Sequence, residues 1–369
     1  MRNLFSKFLL IGGYGSNLGD DAMLISILME LTKKYPAGKI IVYCYNKKNI
    51  PDEAKRPFVN VIYVDKSDRV HIVSEVRVYG GGNQHFLIKN KDSIYDSVRR
   101  KVSHQVRNWN QTIFSLSKRF GKVTFETDKT IYLGIGLGPF DAVPQLSYLD
   151  NALVLFREKL SFNYYENAVL GCDPCFNPKF IESVTKSSSH SLKKQRVGIV
   201  VRDWYHDLKG NKVILNRIQQ YINFLNSTHH VTIVNFCKVL DFDYKKKLKN
   251  YDSEIEYDSR KSCFYEFMES FYSFDLIITM RYHGLVFAAM MNKPAIGINI
   301  DPKIIQFTKE FNQSWITTVE VEDELKDFTK KVQNLNEIVV RIKSEDYQVN
   351  DYFDLRYKRM MEKFYSFLQ

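Results

Sequence analysis

Arg281 and His283, in the stretch "TMRYHGLVFAAM", carry the strongest chemical signal in this sequence. A guanidinium grips a carboxylate or phosphate through two parallel hydrogen bonds. An imidazole changes charge near neutral pH and can act as an acid. Arg202, directly after the strand-like run "RVGIVV", is placed as Arg281 is placed after "DLIIT", and Lys303 follows the next apolar run at "IDPK". Together these residues describe an anion site. A second group near the amino terminus suits hydroxyl-bearing ligands: Asn17 and Asp20 in "GGYGSNLGDDA", and Asn83 and Gln84 in "YGGGNQHF". Amide groups match sugar hydroxyls, and a carboxylate can accept a hydroxyl proton; Asp20 also fits the N-cap of the helix that follows.

The elements that must hold these residues follow from hydrophobic period. Leu276–Thr279 reads as a strand, Leu285–Met291 as a helix apolar on every side, and Ala295–Ile300 as a second strand. In a parallel α/β sheet this places Arg281 and His283 at the strand's carboxyl end and the helix's amino end. Free N–H groups and the helix dipole favour an anion there. The same alternation extends backwards through "RVGIVVRDW", "RIQQYINFLNST", "HVTIVNF" and "FYEFMESFYSF". It also fills the first half, with strands at "KFLLIGG", "KIIVYCY", "VNVIYVD", "EVRVYGGG" and "KTIYLGIGLGPF", a helix at "DDAMLISILMELTKKY" and another expected over "YLDNALVLFREKLSFNYYENAVLG". The fold class expected is α/β, with two Rossmann-like domains facing a cleft in a GT-B-like arrangement. The domains are drawn at 1–181 and 196–345, joined by the Ser/Lys-rich linker 182–195 and followed by a C-terminal helix at 346–369. Tyr352, Leu355, Met360, Phe364 and Leu368 form that helix's expected apolar face.

Glycines punctuate three strand ends: Gly12, Gly13, Gly15 and Gly19, then Gly80–Gly82, then Gly134, Gly136 and Gly138. All three loops are expected on one edge of the sheet. The first departs by one residue from the dinucleotide fingerprint and lacks a phosphate-binding lysine, and Asp20 and Asp21 would repel a pyrophosphate.

With 369 residues and 44% hydrophobic content the chain can build two cores. Five cysteines without framework spacing, and a start too short in apolar residues for a secretory signal, predict a cytoplasmic protein. Cys172 and Cys175 form a C-x-x-C with no second ligand pair, so they read as packing residues and no metal is expected. No run reaches the roughly 18–20 apolar residues of a membrane span. The net charge of +11 favours anionic partners and a peripheral contact with the inner membrane face. The basic clusters "KNKDSIYDSVRRKVSHQVR" and "DYKKKLKN" carry no nucleic-acid fold motif, so nucleic acid is not expected as a partner.

Taken in order, "GGYGSNLGDDAML", "YGGGN", "GIGLGPF", "DPCF" and "TMRYHGLVFAAMMNKPAIGINIDPK" resemble the polysaccharide pyruvyl transferase family over nearly the whole chain. The most specific piece is Arg-x-His-x-x-x-Phe-Ala-Ala, here Arg281, His283, Phe287, Ala288 and Ala289; Tyr282 stands where the family more often has leucine, and Asp21 where it has an acidic residue. The resemblance implies transfer of pyruvate from phosphoenolpyruvate to a sugar of a cell-surface polysaccharide or its precursor, forming a pyruvate ketal and releasing phosphate. No cofactor is implied. The second domain becomes the donor side, with Arg202, Arg281 and Lys303 on phosphoenolpyruvate and His283 as acid. The first becomes the side of a glycan or lipid-linked sugar acceptor, with Asn17, Asn83 and Gln84 as contacts and Asp20 as base. Two alternatives stand beside it: a GT-B glycosyltransferase using a nucleotide sugar, and a non-catalytic protein that binds anionic glycan or nucleic acid through its charge.

Overall fold

The computed structural model describes residues 2–15, 17–80, 85–87, 123–140, 146–185, 194–203, 208–238, 241–344 and 351–369. The chain divides into two compact units, Met1–Asn177 with Phe353–Gln369, and Pro178–Tyr352.

The first unit is built on a seven-stranded sheet. Its strands are β1 (Arg2–Ile11), β2 (Ile40–Tyr43), β3 (Val61–Val64), β4 (Val70–Gly80), β6 (Val123–Ile135), β8 (Leu153–Phe156) and β9 (Val169–Leu170), in the order β3-β2-β1-β4-β6-β8-β9 with every pair parallel. β5 (His85–Leu87) and β7 (Leu137–Phe140) form a separate parallel pair. Phe8–Ile11 of β1 and all of β2 are buried, as continuous apolar runs require in a sheet covered on both faces. Helix α1 (Leu18–Lys34) follows β1, and the one-turn α2 (Asp52–Lys55) precedes β3.

Residues 150–170 correct an expectation. They hold β8, β9 and the 3₁₀ turn Lys159–Asn163 rather than a helix. "LVLF" is too short for period alone to separate strand from helix, and it adds to the edge of β6 through the pairs Ile131–Leu153 and Leu133–Leu155. Arg157 and Glu158, charged though they are, are 4% and 2% exposed. The guanidinium bridges Glu158 at 3.0 Å and Asp173 at 3.2 Å, so the charges are buried because they are paired.

The last helix, α10 (Asp351–Leu368), packs on this unit from Phe353 onward. The buried stripe is Phe353, Tyr357, Met360, Met361 and Phe364, while Leu355 is exposed; the true i, i+4, i+7 period starts one residue after Tyr352. Arg356 donates from Nε to the Gly171 carbonyl at 2.6 Å and from Nη2 to the Arg157 carbonyl at 2.9 Å. Tyr357 and Tyr365 donate to opposite oxygens of Glu30 on α1.

The second unit opens with α3 (Pro178–Thr185), which runs into the stretch expected as linker, and residues 186–193 lie outside the described residues. Its six strands are β10 (Arg196–Val201), β11 (His230–Asn235), β12 (Ser253–Glu256), β13 (Leu276–Thr279), β14 (Ala295–Asn299) and β15 (Ile316–Glu320). They are ordered β12-β11-β10-β13-β14-β15 and all parallel, which is the Rossmann order. Between them run α4 (Leu208–Leu225), α5 (Phe242–Lys247), α6 (Phe264–Tyr272), α7 (Tyr282–Met290) and α8 (Pro302–Phe311), and α9 (Leu325–Ser344) follows. Every residue of α7 from Gly284 to Met290 is buried, so this helix is apolar all round because it is surrounded. Full burial of Leu285, Val286 and Phe287 contributes about 1.5–3 kcal/mol each. That anchors the first turn, where the polar residues sit.

Candidate active site

In the second unit the strand order reverses between β10 and β13, the place where doubly wound sheets bind ligands beyond the strands' carboxyl ends. Arg202 is the first residue after β10, and Arg281 is two residues beyond β13. The topology therefore brings both arginines to the switch point.

Arg281 occupies the N-cap position of α7 with extended backbone (φ −113°, ψ 137°), but its side chain does not cap the helix. The buried Thr279 supplies the local bonds instead. Its hydroxyl accepts the Arg281 N–H at 2.9 Å and donates to the Arg281 carbonyl at 3.0 Å. Gly284 lets the helix sit this close to the strand, because a Cβ there would lie 2.1 Å from Thr279 Oγ1. Arg281 is 8% exposed, and its Nη2 donates to both carboxylate oxygens of Asp241, which is 0% exposed. Burial pushes the Asp241 carboxyl up from its ordinary value, against the pull of Arg281 and then Arg202.

Arg202 shares this environment. Burial, and then the charge of Arg281, lower its guanidinium below the usual range, while Asp301 and Asp241 act the other way. Asp301 caps α8, accepting the Lys303 N–H at 3.2 Å, and its carboxylate lies 3.5 Å from Lys303 Nζ. Lys303 is buried rather than solvated, at 3% exposure. Burial alone would raise the Asp301 carboxyl, yet Lys303, its N–H and Arg202 hold it below the usual value. His283 lies in the first turn of α7 and is half-buried, with its ring 5.7 Å from that of Tyr282 and 5.9 Å from that of Phe287. The imidazole is thus backed by the aromatic face of its own helix rather than set in a wholly polar turn. The second unit gathers Arg202, Arg281, Lys303 and His283 at one sheet edge with two resident carboxylates.

In the first unit the glycine loops have a packing reason. Tyr14, 1% exposed, folds back beneath its own loop and donates to the Gly80 carbonyl at 3.3 Å, tying the end of β1 to the end of β4. A Cβ on Gly12 would lie 2.4 Å from the Tyr14 ring, and one on Gly80 would lie 2.2 Å from its hydroxyl. Gly134 at the end of β6 and Gly138 in β7 adopt φ of +62° and +71° against Pro174 and Tyr164. The carboxyl ends of β1, β4 and β6 share one edge, as the parallel register requires.

The N-cap of α1 is Asn17, whose side chain accepts the Gly19 N–H at 3.0 Å, and not Asp20. Asp21 is fully buried and accepts the Gly15 N–H at 2.6 Å, fixing a turn in which Gly15 has φ +88°. Asp20 is left half-buried beside Gly13, whose added Cβ would lie 3.1 Å from Asp20 Oδ2. Asn83 and Gln84 lie outside the described residues. Cys172 and Cys175 are fully buried, and burial pushes both thiols above their usual value.

Sequence reasoning did not find Thr279, Gly284, Asp203 or Asp241. Asp241 lies two residues before "DYKKKLKN", whose lysines read as surface charge, and Thr279 reads from the sequence only as a strand residue. The signal present for Thr279 is a polar residue ending an otherwise apolar strand.

The fold is shared with structures of very different sequence. A Listeria monocytogenes protein assigned as a UDP-N-acetylglucosamine 2-epimerase superposes with a TM-score of 0.55 at 9% identity, covering 99% of this chain and 97% of its own. MnaA of S. aureus, solved with UDP, gives 0.53 at 11% identity, covering 100% and 98%. At such identities these likenesses speak for the two-domain, GT-B-like fold alone. No curated protein matches the chain. The profile of the family described as Polysaccharide pyruvyl transferase matches residues 17–302, from the cap of α1 through Arg202, Arg281 and His283 to the start of α8. The chain belongs to the polysaccharide pyruvyl transferase family, transferases of polysaccharide synthesis.

Proposed function

We propose that the protein transfers pyruvate from phosphoenolpyruvate to two hydroxyls of one sugar in a polysaccharide or its precursor. The observation that carries this reading is the meeting of Arg202 and Arg281 at the switch point, beside the first turn of α7, in a chain of this family. Phosphoenolpyruvate bears a carboxylate and a phosphate on one small frame, and two guanidinium groups with a buried lysine nearby match two anionic ends.

The residues then take these roles. Arg281 and Arg202 hold the donor, and Lys303 adds positive charge at the same edge. His283 protonates the methylene carbon, which becomes a methyl group as cationic character develops at C2. One sugar hydroxyl adds to C2, the C2–O bond to phosphate breaks, and the second hydroxyl closes the ketal. Of the two hydroxyl protons released, one balances the proton now in the methyl group and the other leaves on phosphate. The arginines neutralise the departing phosphate. Asp20, the half-buried carboxylate of the first loop, is the proposed base for the acceptor hydroxyl, being nearer to solvent than the fully buried Asp21. Asn17 offers its amide N–H groups to an acceptor, its oxygen being used as the cap.

The test is thermal denaturation with phosphoenolpyruvate and, separately, with nucleotide diphosphate sugars. A ligand at about 100 times its Kd adds about 2.7 kcal/mol, and a domain of this size shifts by about 2–4 °C per kcal/mol, so a rise of roughly 5–10 °C is expected with phosphoenolpyruvate. Arg202→Ala should abolish it. A rise with a nucleotide sugar and none with phosphoenolpyruvate would overturn the reading in favour of glycosyl transfer.

A further inference from the structure

Two helices that meet at the switch point have given up capping themselves. Asp241 stands at the N-cap position of α5, where aspartate is among the best caps, yet it makes no cap bond. Its carboxylate is turned to the Arg281 guanidinium. The third amide of α5, that of Tyr244, is taken instead by Asp203 Oδ1 at 2.8 Å, and Asp203 is the residue after Arg202. Tyr244 is fully buried and fixes the same turn by donating its hydroxyl to the Asn211 carbonyl at 3.1 Å. On the other side, Arg281 sits at the cap of α7 and leaves its backbone to Thr279. The loops after three neighbouring strands, β11, β10 and β13, are therefore tied together through Asp241 and Asp203.

A buried ion pair is a poor stabiliser, since desolvation offsets most of its attraction. What this one does supply is order. Arg281 is held by its backbone at Thr279 and by its head at Asp241, so little of its rotamer freedom remains to be lost when a ligand arrives. We propose that Asp241 is a positioning residue that presets the Arg281 guanidinium for the anionic donor, and that Asp203 supports it by fixing the turn on which Asp241 sits. The inference rests on the reading above, that Arg281 receives phosphoenolpyruvate.

The experiment is calorimetric titration of phosphoenolpyruvate into the full-length wild type and into Asp241→Asn, Asp241→Ala and Asp203→Ala, at a temperature where circular dichroism shows each folded. Loss of a hydrogen bond between charged groups corresponds to about ten- to a hundredfold in Kd. Asp241→Ala should show a loss of that size, Asp241→Asn, which keeps one acceptor oxygen, an intermediate loss, and Asp203→Ala a smaller one in the same direction. A merely structural role would lower the melting midpoint and leave Kd unchanged in the folded protein. Asp241 variants that are folded and bind within about twofold of wild type overturn the proposal; should neither fold, wild-type affinity in Asp203→Ala, which removes the acceptor of the Tyr244 N–H, does so. A wild type that does not bind phosphoenolpyruvate sinks the functional reading and the inference with it, whereas a wild type that binds beside variants that bind equally sinks the inference alone.

Discussion

Replacing Arg281 should damage stability as well as binding, and the two effects can be separated. Asp241 is 0% exposed and gives both oxygens to the guanidinium, so Arg281→Met leaves a buried carboxylate without its main partner. Breaking a buried pair from one side costs about 3–5 kcal/mol, whereas replacing both partners by apolar groups of similar volume is near neutral. At about 2–4 °C per kcal/mol, the single variant should melt roughly 6–20 °C below wild type. The double variant Arg281→Met/Asp241→Leu should recover most of that loss while failing to bind phosphoenolpyruvate. Urea titration followed by tryptophan emission is suited to the measurement, because Trp315 lies in the second unit at 2% exposure. A coupling of about 3 kcal/mol between the two substitutions is expected from the cycle. If the single variant lay within 1 kcal/mol of wild type, or the double variant were no more stable than the single one, the pair would not be the buried brace described here.

His283→Ala should lower turnover by about 10²–10⁴ with phosphoenolpyruvate still bound, as loss of a general acid does; once an acceptor is in hand, phosphate release and donor titration on the same sample separate the two. Gly284→Ala should cost about 1–3 kcal/mol in denaturant unfolding, because its Cβ would meet Thr279 Oγ1 at 2.1 Å and neither the strand nor the buried helix can give way cheaply. Tyr14→Ala should cost about 3–5 kcal/mol and Tyr14→Phe about 0.5–1.5, the first opening a cavity under the glycine loops and the second removing the bond to Gly80. Alkylation should mark Cys263 first and reach Cys44, whose thiol burial pushes up to about 12, only on unfolding. The Asp301 carboxyl is held below its ordinary value, so its contribution to stability is present above the unfolded-state value and lost as pH falls through the folded-state one; Asp301→Asn should flatten the acid limb of a pH–stability curve.

Much of the frame was legible because it rests on period. The apolar runs around Ile199, Ile233, Ile278 and Ile296 are long and bounded enough to be read as strands, and the helix Leu285–Met290 is recognisable because nothing polar interrupts it. Leu153–Phe156 was not legible, since four apolar residues followed by Arg157 and Glu158 match a helix's edge equally well. Only the tertiary partner Asp173 reveals that those charges point inward. The site divides the same way. Arg202, Arg281 and His283 announce themselves by breaking apolar segments at strand ends. The carboxylate that meets Arg281 comes from forty residues earlier in the chain, and no local pattern distinguishes Asp241 from the other acids of its stretch.

That division bears on how the proposed anion site would work. Read from sequence, the edge of the second sheet is a pile of cations; folded, it holds three cations against Asp241 and Asp301. An unneutralised cluster of buried cations would be costly, and it would bind any anion through charge alone. With the carboxylates in place the net field is modest, so affinity must come from how well a ligand's own oxygens match fixed donors. Such a site prefers shape over charge: under the function proposed above, phosphoenolpyruvate, with two anionic groups at a set spacing, would gain from both arginines at once, whereas inorganic phosphate or pyruvate would gain from one. Competition titrations should therefore show either fragment binding far more weakly than the intact donor. Removing Asp301 by Asp301→Asn should narrow the gap between phosphate and phosphoenolpyruvate, since the field would then favour any anion; an unchanged ratio would mean that the resident carboxylates set stability and not selectivity.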